Sequence, residues 1–561
     1  GNRLTEIPTI KDNRFENIKV LQDFEQMIII DISKTINNIE FVNNTFNQIQ
    51  TQIENFGINI NREKDETNEN QEILQIKYIE CNFTNNKQIK RQESKHENTK
   101  ITYDRCLFES NEGEGYGGSL YIKNYQTVTI ETCEFNSNFV TEIVVGTGNK
   151  LPGQGGSIFI ESGRVIISRS KFNNNYGGYG QAIYLLNNDC QLKIDSNSEF
   201  NNNINLKNMI DKQYAIHSKS EHIDISTASF KLEINEQPEG SYSYQCGFIY
   251  LTNSGNININ ECNFSNSNFR SSILYEIKEK SSSENKFSIY GCEFRNCLTD
   301  VLSIELPSAS NESIRISECN FNECKGRNKG PSTTIHIKEE TDSIKLNIEN
   351  NRFTNCGELA TDNYVLKMSM NRCPYDNLEA IAIENNIIEF EDASKSCIAL
   401  RVVQENREIK IHNCSFSKCS QSSNSEQTWE NCLSLNKFNK VEISESQFSE
   451  CGICSQNNGC PSPSGGGNVI VIQEGVTEST ISGCRIKFEN ADIGGSGIST
   501  YSNNNIIENN EFIKCYENAI RVEYKKEGST EFVLINNLFS GSVQGAMISF
   551  FGDRFMTKSP T

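Results

Sequence analysis

Cysteine is the residue best placed for chemistry in this chain: 21 cysteines stand in 561 residues, against five histidines. Their spacing is regular. Cys81, Cys106, Cys133, Cys262, Cys292, Cys319 and Cys414 each precede a phenylalanine by two residues, while Cys297, Cys324, Cys356, Cys419, Cys451 and Cys515 each follow one by three. Thiols at recurrent positions of a repeat can pair as disulfides, bind a metal, or fill an interior as small apolar groups. If the repeats stack in parallel, equivalent residues lie about 5 Å apart, within the Cα separation a disulfide needs. Disulfides are the expectation, with Cys297 to Cys324 as a cross-coil bridge and Cys292 to Cys297 as a bridge within one corner. The full candidate set is Cys292, Cys297, Cys319, Cys324, Cys356, Cys414, Cys419, Cys451, Cys454 and Cys460.

Cys451-Gly452-Ile453-Cys454, followed by Cys460-Pro461-Ser462-Pro463, has part of a zinc pattern but no second pair and no fourth ligand. A disulfide-knotted loop is the better reading. Ser464-Gly465-Gly466-Gly467 then serves as a flexible return, since no helix start follows to make it a phosphate loop.

Acid–base chemistry is poorly served. A hydrolase or lyase acting on an acidic polysaccharide needs paired carboxylates on one face, with a histidine and basic residues to grip the sugar acid. No Asp-Asp pair occurs, and His96, His217, His222, His336 and His412 fall in separate repeats or loops, none in a Gly-His-Gly setting. His412 reads as a solvated turn residue. Asp362, Asp376 and Asp392 are too scattered for a calcium site. Of the elements that mark polygalacturonases only Arg485-Ile486-Lys487 is present, and a lone tripeptide carries little. The chain is therefore read as non-enzymatic, with no catalytic residue, no cofactor and no metal site.

What positions the cysteines is a repeat. Counting from the phenylalanine as zero, Ile409-Lys410-Ile411-His412-Asn413-Cys414-Ser415-Phe416-Ser417-Lys418-Cys419 has apolar residues at −7 and −5, Cys at −2 and Cys at +3. Other copies carry a small residue at −2 and Asn at +3. Side chains in a strand alternate faces, so −7 and −5 share one face, and the odd step to −2 puts −2 and 0 out of phase with them. A bend at −4 and −3 lets both short strands face one interior, which describes the corner of a coil. The anchors run from Phe46 to Phe539, with Ile388 substituting for Phe and with Phe488 carrying Gly483 at −5. At Phe200 the apolar pair, Leu192 and Ile194, comes one residue early. The mean step of about 31 residues is that of a solenoid. Long steps carry polar insertions at Arg62 to Gln71, Asn86 to Lys100, Ser281 to Lys286 and Cys451 to Gly467, which must leave as loops.

A second signal precedes several anchors: Gly117-Gly118-Ser119-Leu120-Tyr121-Ile122, Gly155-Gly156-Ser157-Ile158-Phe159-Ile160 and Cys246-Gly247-Phe248-Ile249-Tyr250 each open another strand. The fold expected is all-β, a single-stranded right-handed parallel β-helix of about 17 coils with loop insertions, forming a rod of about 80 Å. Residues 1–35 form an N-terminal cap, with Phe15, Ile18, Leu21 and Phe24 at roughly helical spacing, or a weak first coil. Residues 36–545 are the repeats, and 546–561 are a C-terminal coil end or a continuation.

Composition fits a thin interior: 36% of residues are hydrophobic and the net charge is −20. Asn ladders along the stack can satisfy one another. The acidic balance argues against nucleic acid, and Lys87 to Lys100 is read as a solvated basic loop. No run of 18 apolar residues is present to span a membrane. Asn43, Asn82, Asn263, Asn311 and Asn413 open Asn-x-Ser/Thr sequons, and Asn82, Asn263 and Asn413 are read at the outward position just before the anchor. The chain begins Gly1-Asn2-Arg3, so a signal was removed or the sequence is part of something longer.

The pairing of Gly-Gly-Ser-Ile or Gly-Gly-Ser-Leu with Phe-x-x-Asn, at Phe83 to Asn86, Phe108 to Asn111, Phe135 to Asn138, Phe172 to Asn175 and Phe200 to Asn203, resembles the repeat of polymorphic outer membrane proteins and related pectin-lyase-like β-helix surface proteins. The later Cys at +3 departs from that pattern, and no segment resembles the membrane barrel of the bacterial members. With the sequons and cysteines, the resemblance implies an extracellular or cell-surface glycoprotein of a eukaryotic microbe. Two functions are expected. One is a structural or adhesive role in a surface layer or filament, with self-association or other surface proteins as partners. The alternative is a carbohydrate-binding or polysaccharide-cleaving β-helix.

Overall fold

Stretches such as Leu74–Ile79 and Thr99–Asp104 alternate buried and outward side chains, so each can be a strand only if one face meets an interior. That interior is supplied by the same segment of the neighbouring coils. A computed structural model of the chain describes residues 9–16, 28–32, 38–51, 58–62, 73–88, 99–145, 149–203, 213–232, 246–252, 255–266, 271–277, 285–297, 300–306, 312–324, 333–339, 345–356, 364–370, 381–390, 398–403, 408–419, 432–451, 468–473, 475–488, 496–515, 518–523, 531–541 and 547–551. The described residues form strands and turns, with no helix among them.

Three kinds of strand recur in register, and we call their sheets lead, anchor and third. Lead strands carry the −7 and −5 residues, anchor strands the phenylalanine, and third strands the residues after Gly-Gly-Ser. The chain divides into two units, Gly1–Tyr275 and Glu276–Thr561. In the first, nine parallel lead strands run from Thr9–Lys11 to Asn256–Asn260, and nine anchor strands from Arg14–Glu16 to Asn263–Ser265. Third strands run from Leu120–Ile122 to Ser271–Glu276. The second unit repeats the plan, with lead strands from Asn285–Tyr290 to Glu531–Ile535, anchor strands from Glu293–Arg295 to Leu538–Ser540 and third strands from Asp300–Leu306 to Ile548–Phe551. Each unit is a parallel β-helix.

The register is set by identical residues. Ile76, Ile101, Val128, Val165, Leu192, Ile223 and Ile257 are successive partners in the lead sheet. In the anchor sheet Phe15, Phe46, Phe83, Phe108, Phe135, Phe172, Phe200, Phe230 and Phe264 stack with ring centroids 4.5 to 5.1 Å apart. This is the inter-strand spacing itself, so each ring keeps its face contact without tilting the backbone.

The bend expected at −4 and −3 has a specific conformation. Residue −3 is left-handed at every described anchor, from Asp12 (φ 58) to Asn536 (φ 51), and Gly occupies it only at Gly291 and Gly483. A non-glycine there costs about 1–2 kcal/mol, and hydrogen bonds to the coils on both sides offset it. Arg105 N–H donates to Glu131 O at 3.0 Å, and Leu107 N–H to Cys81 O at 3.0 Å. A second left-handed residue at +2, such as Asn85, Ser110 or Asn174, turns the chain again.

This geometry corrects the reading of one anchor and accounts for two others. Ile486, not Phe488, is the anchor, because it pairs with Phe448 and Phe512, and Gly483 is its −3 corner rather than a defective −5. Phe15 is an anchor on a strand paired with Thr45–Asn47, not part of a helix. Ile18, Leu21 and Phe24 lie outside the described residues. At Phe200 the early apolar pair is absorbed by two consecutive left-handed residues, Ser196 and Asn197.

Candidate functional site

Two interior columns flank each anchor, at −2 and +3, and they gather the polar and sulfur-bearing side chains. On five successive coils of the first unit the +3 residue is asparagine. Asn86 Nδ2 donates to Asn111 Oδ1 at 3.0 Å, Asn111 to Asn138 at 2.9 Å, Asn138 to Asn175 at 3.0 Å and Asn175 to Asn203 at 3.0 Å. Each amide also donates to a phenylalanine carbonyl of the preceding coil, as Asn138 does to Phe108 O at 2.9 Å. Each Oδ1 accepts a backbone N–H, as Asn138 Oδ1 does from Asn111. All five are buried and fully engaged, which is what a buried amide requires.

In the second unit Cys297, Cys324, Cys356, Cys419, Cys451 and Cys515 fill that column and are buried. Their S–H groups reach carbonyls of the same kind: Cys324 Sγ lies 3.5 Å from Phe294 O and Cys356 Sγ 3.2 Å from Phe321 O. At −2, Cys81, Cys106 and Cys133 stand on successive coils, with Cys106 Sγ donating to Tyr78 O at 3.3 Å and Cys133 Sγ to Tyr103 O at 3.4 Å. Cys292, Cys319, Cys414 and Cys484 continue the −2 pattern in the second unit.

Among the described residues the disulfide candidates are unbridged. Cys292, Cys297, Cys319, Cys324, Cys356, Cys414, Cys419 and Cys451 all stand as buried thiols. Equivalent residues of stacked coils keep a Cα spacing that suits a bridge. Burial pushes the thiols at Cys414 and Cys484 up to about 11 and about 12. Cys454 and Cys460 lie outside the described residues.

One cluster breaks the linear arrangement. The sulfurs of Cys419, Cys432 and Cys451 all lie within 4.8 Å of one another, and all three residues are buried. Cys419 and Cys451 are +3 residues of adjacent coils, following the paired strands Ser415–Ser417 and Gln447–Ser449. Cys432 opens the third strand Leu433–Asn436. Burial pushes the Cys432 thiol well up, and its two sulfur neighbours act in the same direction. The zinc pattern considered from spacing used Cys451 with Cys454 and Cys460. The structure gives Cys451 different companions, one of which no spacing marked.

Other polar groups are placed structurally. Asn505 at a buried −7 position accepts hydrogen bonds from Ser479 Oγ at 2.7 Å and Thr500 Oγ1 at 2.6 Å, and from Ser502. His217 is buried among the rings of Tyr179, Tyr184 and Tyr250. His412 is part-exposed, with Nδ1 3.0 Å from Ser444 Oγ.

The outward face of the anchor sheet in the first unit carries a shallow polar groove of about 640 Å³, lined by Glu109, Asn136, Asn173, Glu199, Asn201 and Lys231 among others. An external amide ladder runs along it, Asn201 Nδ2 to Asn173 Oδ1 at 3.0 Å and Asn173 Nδ2 to Asn136 Oδ1 at 2.9 Å. Of the sequons, Asn43, Asn263 and Asn413 are exposed, Asn82 is half-buried, and Asn311 lies outside the described residues. Asn413 belongs with Asn43 at the left-handed −3 corner, not at −1. Their amides donate to the neighbouring corner, Asn43 to Asp12 Oδ1 at 2.8 Å and Asn413 to Asn385 Oδ1 at 2.7 Å, and each keeps a second N–H. Among the described residues no helix is long and apolar enough to cross a membrane.

Comparison with known proteins found no matching family, no matching curated protein and no matching solved structure.

Proposed function

We propose that this chain is a non-enzymatic structural or adhesive protein of a cell surface or extracellular filament, glycosylated at its coil corners and acting through self-association or contact with other surface proteins. The observation that carries this reading is the division of labour across the corner. Inward side chains at −2, 0 and +3 are engaged in ring stacks, amide ladders and thiol contacts, while the sequon asparagines Asn43, Asn263 and Asn413 face solvent. A repeat of this kind presents side chains at fixed intervals without needing a catalytic centre, and its sequence variety is carried at outward positions and insertions. The test is electron microscopy of native material with glycopeptide mass spectrometry. Filaments or layers with occupied Asn43, Asn263 or Asn413 support the proposal, and dispersed single molecules with all sequons bare overturn it.

The outward groove favours a second reading, glycan binding. Its carboxylates and amide ladder offer the donors and acceptors that sugar hydroxyls take, without the aromatic platforms common in such sites. Binding on a glycan array that is lost in Glu199→Gln and Asn173→Ala would support it. Release of reducing sugar dependent on Glu199 would move the chain into the enzyme class.

A further inference from the structure

We propose that Cys419, Cys432 and Cys451 form a binding site for a single thiophilic d10 metal ion, Cu(I) or Zn(II). Three sulfurs no more than 4.8 Å apart have a common centre within about 2.8 Å of each, and zinc–sulfur bonds are about 2.3 Å. A shift of roughly half an ångström per sulfur therefore completes the contact.

The other cysteine runs cannot do this. Cys297, Cys324 and Cys356 follow one another along paired strands, one per coil, so the first and last are separated by two coil steps and no point is close to all three. The same holds for Cys81, Cys106 and Cys133. Among the described residues, a line becomes a triangle only where Cys432 enters from the third strand. A disulfide would use two of these sulfurs and strand the third in a dry interior, whereas an ion uses all three.

The chemistry is soft-ligand coordination, which thiolates offer to Cu(I) and Zn(II) over hard cations. Binding replaces up to three S–H protons by one ion and releases them to solvent, so affinity falls as pH is lowered. Three sulfurs saturate trigonal Cu(I), while Zn(II) has one position left for a further donor. The bound ion would tie the third strand of one coil to the corner of the next across the sequence insertion between Cys419 and Cys432.

The experiment is stoichiometric titration of the full reduced chain with Cu(I) and, separately, Zn(II), each against a competing chelator, followed by X-ray absorption of the loaded protein. The expected result is one tight equivalent with a sulfur-only shell of three for Cu(I), or three sulfurs and a further ligand for Zn(II). Cys419→Ser, Cys432→Ser and Cys451→Ser each lose that equivalent, while Cys324→Ser and Cys106→Ser keep it. Circular dichroism checks each variant for folding, and Cys432→Ser, lying outside the repeating column, carries the test if Cys451→Ser fails to fold. Equal stoichiometry in wild type and Cys432→Ser overturns the proposal. So does a disulfide between any two of the three in protein isolated anaerobically.

Discussion

The same interior column carries asparagine on five successive coils of the first unit, Asn86 to Asn203, and cysteine on six coils of the second, Cys297 to Cys515, around corners of one geometry. Asn138 accepts two hydrogen bonds from Asn111 and donates two more, to Phe108 O and Asn175 Oδ1. Cys324 offers a single weak S–H to the equivalent carbonyl, Phe294 O, at 3.5 Å. Both answer the need of a buried carbonyl at the second corner. The asparagine column couples every coil to the next through polar groups that cannot be removed singly, while the cysteine column behaves mainly as apolar filling. The ring stacks differ in parallel: nine phenylalanines are continuous in the first unit, and Ile388 and Ile486 interrupt the second.

The sharpest way to break the comparison is Asn138→Leu. It strands the Asn111 backbone N–H, one Asn111 Nδ2–H and Phe108 O in the interior, while Asn175 Oδ1 keeps the residue-138 backbone N–H, and at about 1–3 kcal/mol for each unsatisfied group the loss is roughly 4 kcal/mol or more. Denaturant unfolding followed by hydrogen exchange reads it. Phe135→Ala, which opens a gap between rings 4.5 and 4.6 Å away, costs about 3–5 kcal/mol. Phe448→Ala, stacked on Phe416 but facing Ile486 on its other side, costs less, and equal losses would deny the ring stack any role beyond burial. Cys324→Ala loses only a small buried group, about 1–2 kcal/mol.

Alkali sharpens the contrast in another way. Burial raises the folded-state thiols of Cys414, Cys484 and Cys515 to about 11, about 12 and about 12 from an ordinary value of 9.0. The unfolded chain therefore ionises first, and the stability these thiols confer is complete below pH 9 and is lost as pH rises toward 12. Burial likewise raises Cys106, and Cys190 to about 11, in the first unit, so between pH 9 and 10, below the ordinary tyrosine value of 10.0, both units lose part of this stability and the second, with three such thiols, should lose exchange protection more steeply. The smallest effect is a gain. Thr132, β-branched at φ 55, is the wrong residue for its corner, and Thr132→Gly should stabilise by about 0.5–1 kcal/mol in the same unfolding assay.

Much of this was legible in the sequence because the coil corner forces a phase change. The odd step from Tyr103 to Cys106 can bury both residues only through a bend, and the structure bends there, at Arg105. Phe15 was missed because its first lead position is Pro8 and its partners fall in a weak copy. Phe488 was taken for an anchor because a phenylalanine is a louder signal than the isoleucine two residues earlier, although Gly483 and Cys484 mark −3 and −2 of Ile486. The disulfide expectation rests on Cα spacing, which a parallel stack satisfies for every column. Cys432 left no signal, because its distance from the anchor depends on a connection whose length varies from repeat to repeat. The candidate site was therefore half legible: Cys419 and Cys451 from the column, their third partner only from the fold.

Hydrogen-exchange mass spectrometry of wild type, Asn138→Leu and Cys324→Ala tests the central contrast most directly. The account predicts that Asn138→Leu lowers protection across several coils on both sides, from Asn86 through Asn203, while Cys324→Ala changes only the anchor strands beside it. Loss of protection confined to one coil in Asn138→Leu, or spreading equally in both variants, would contradict it.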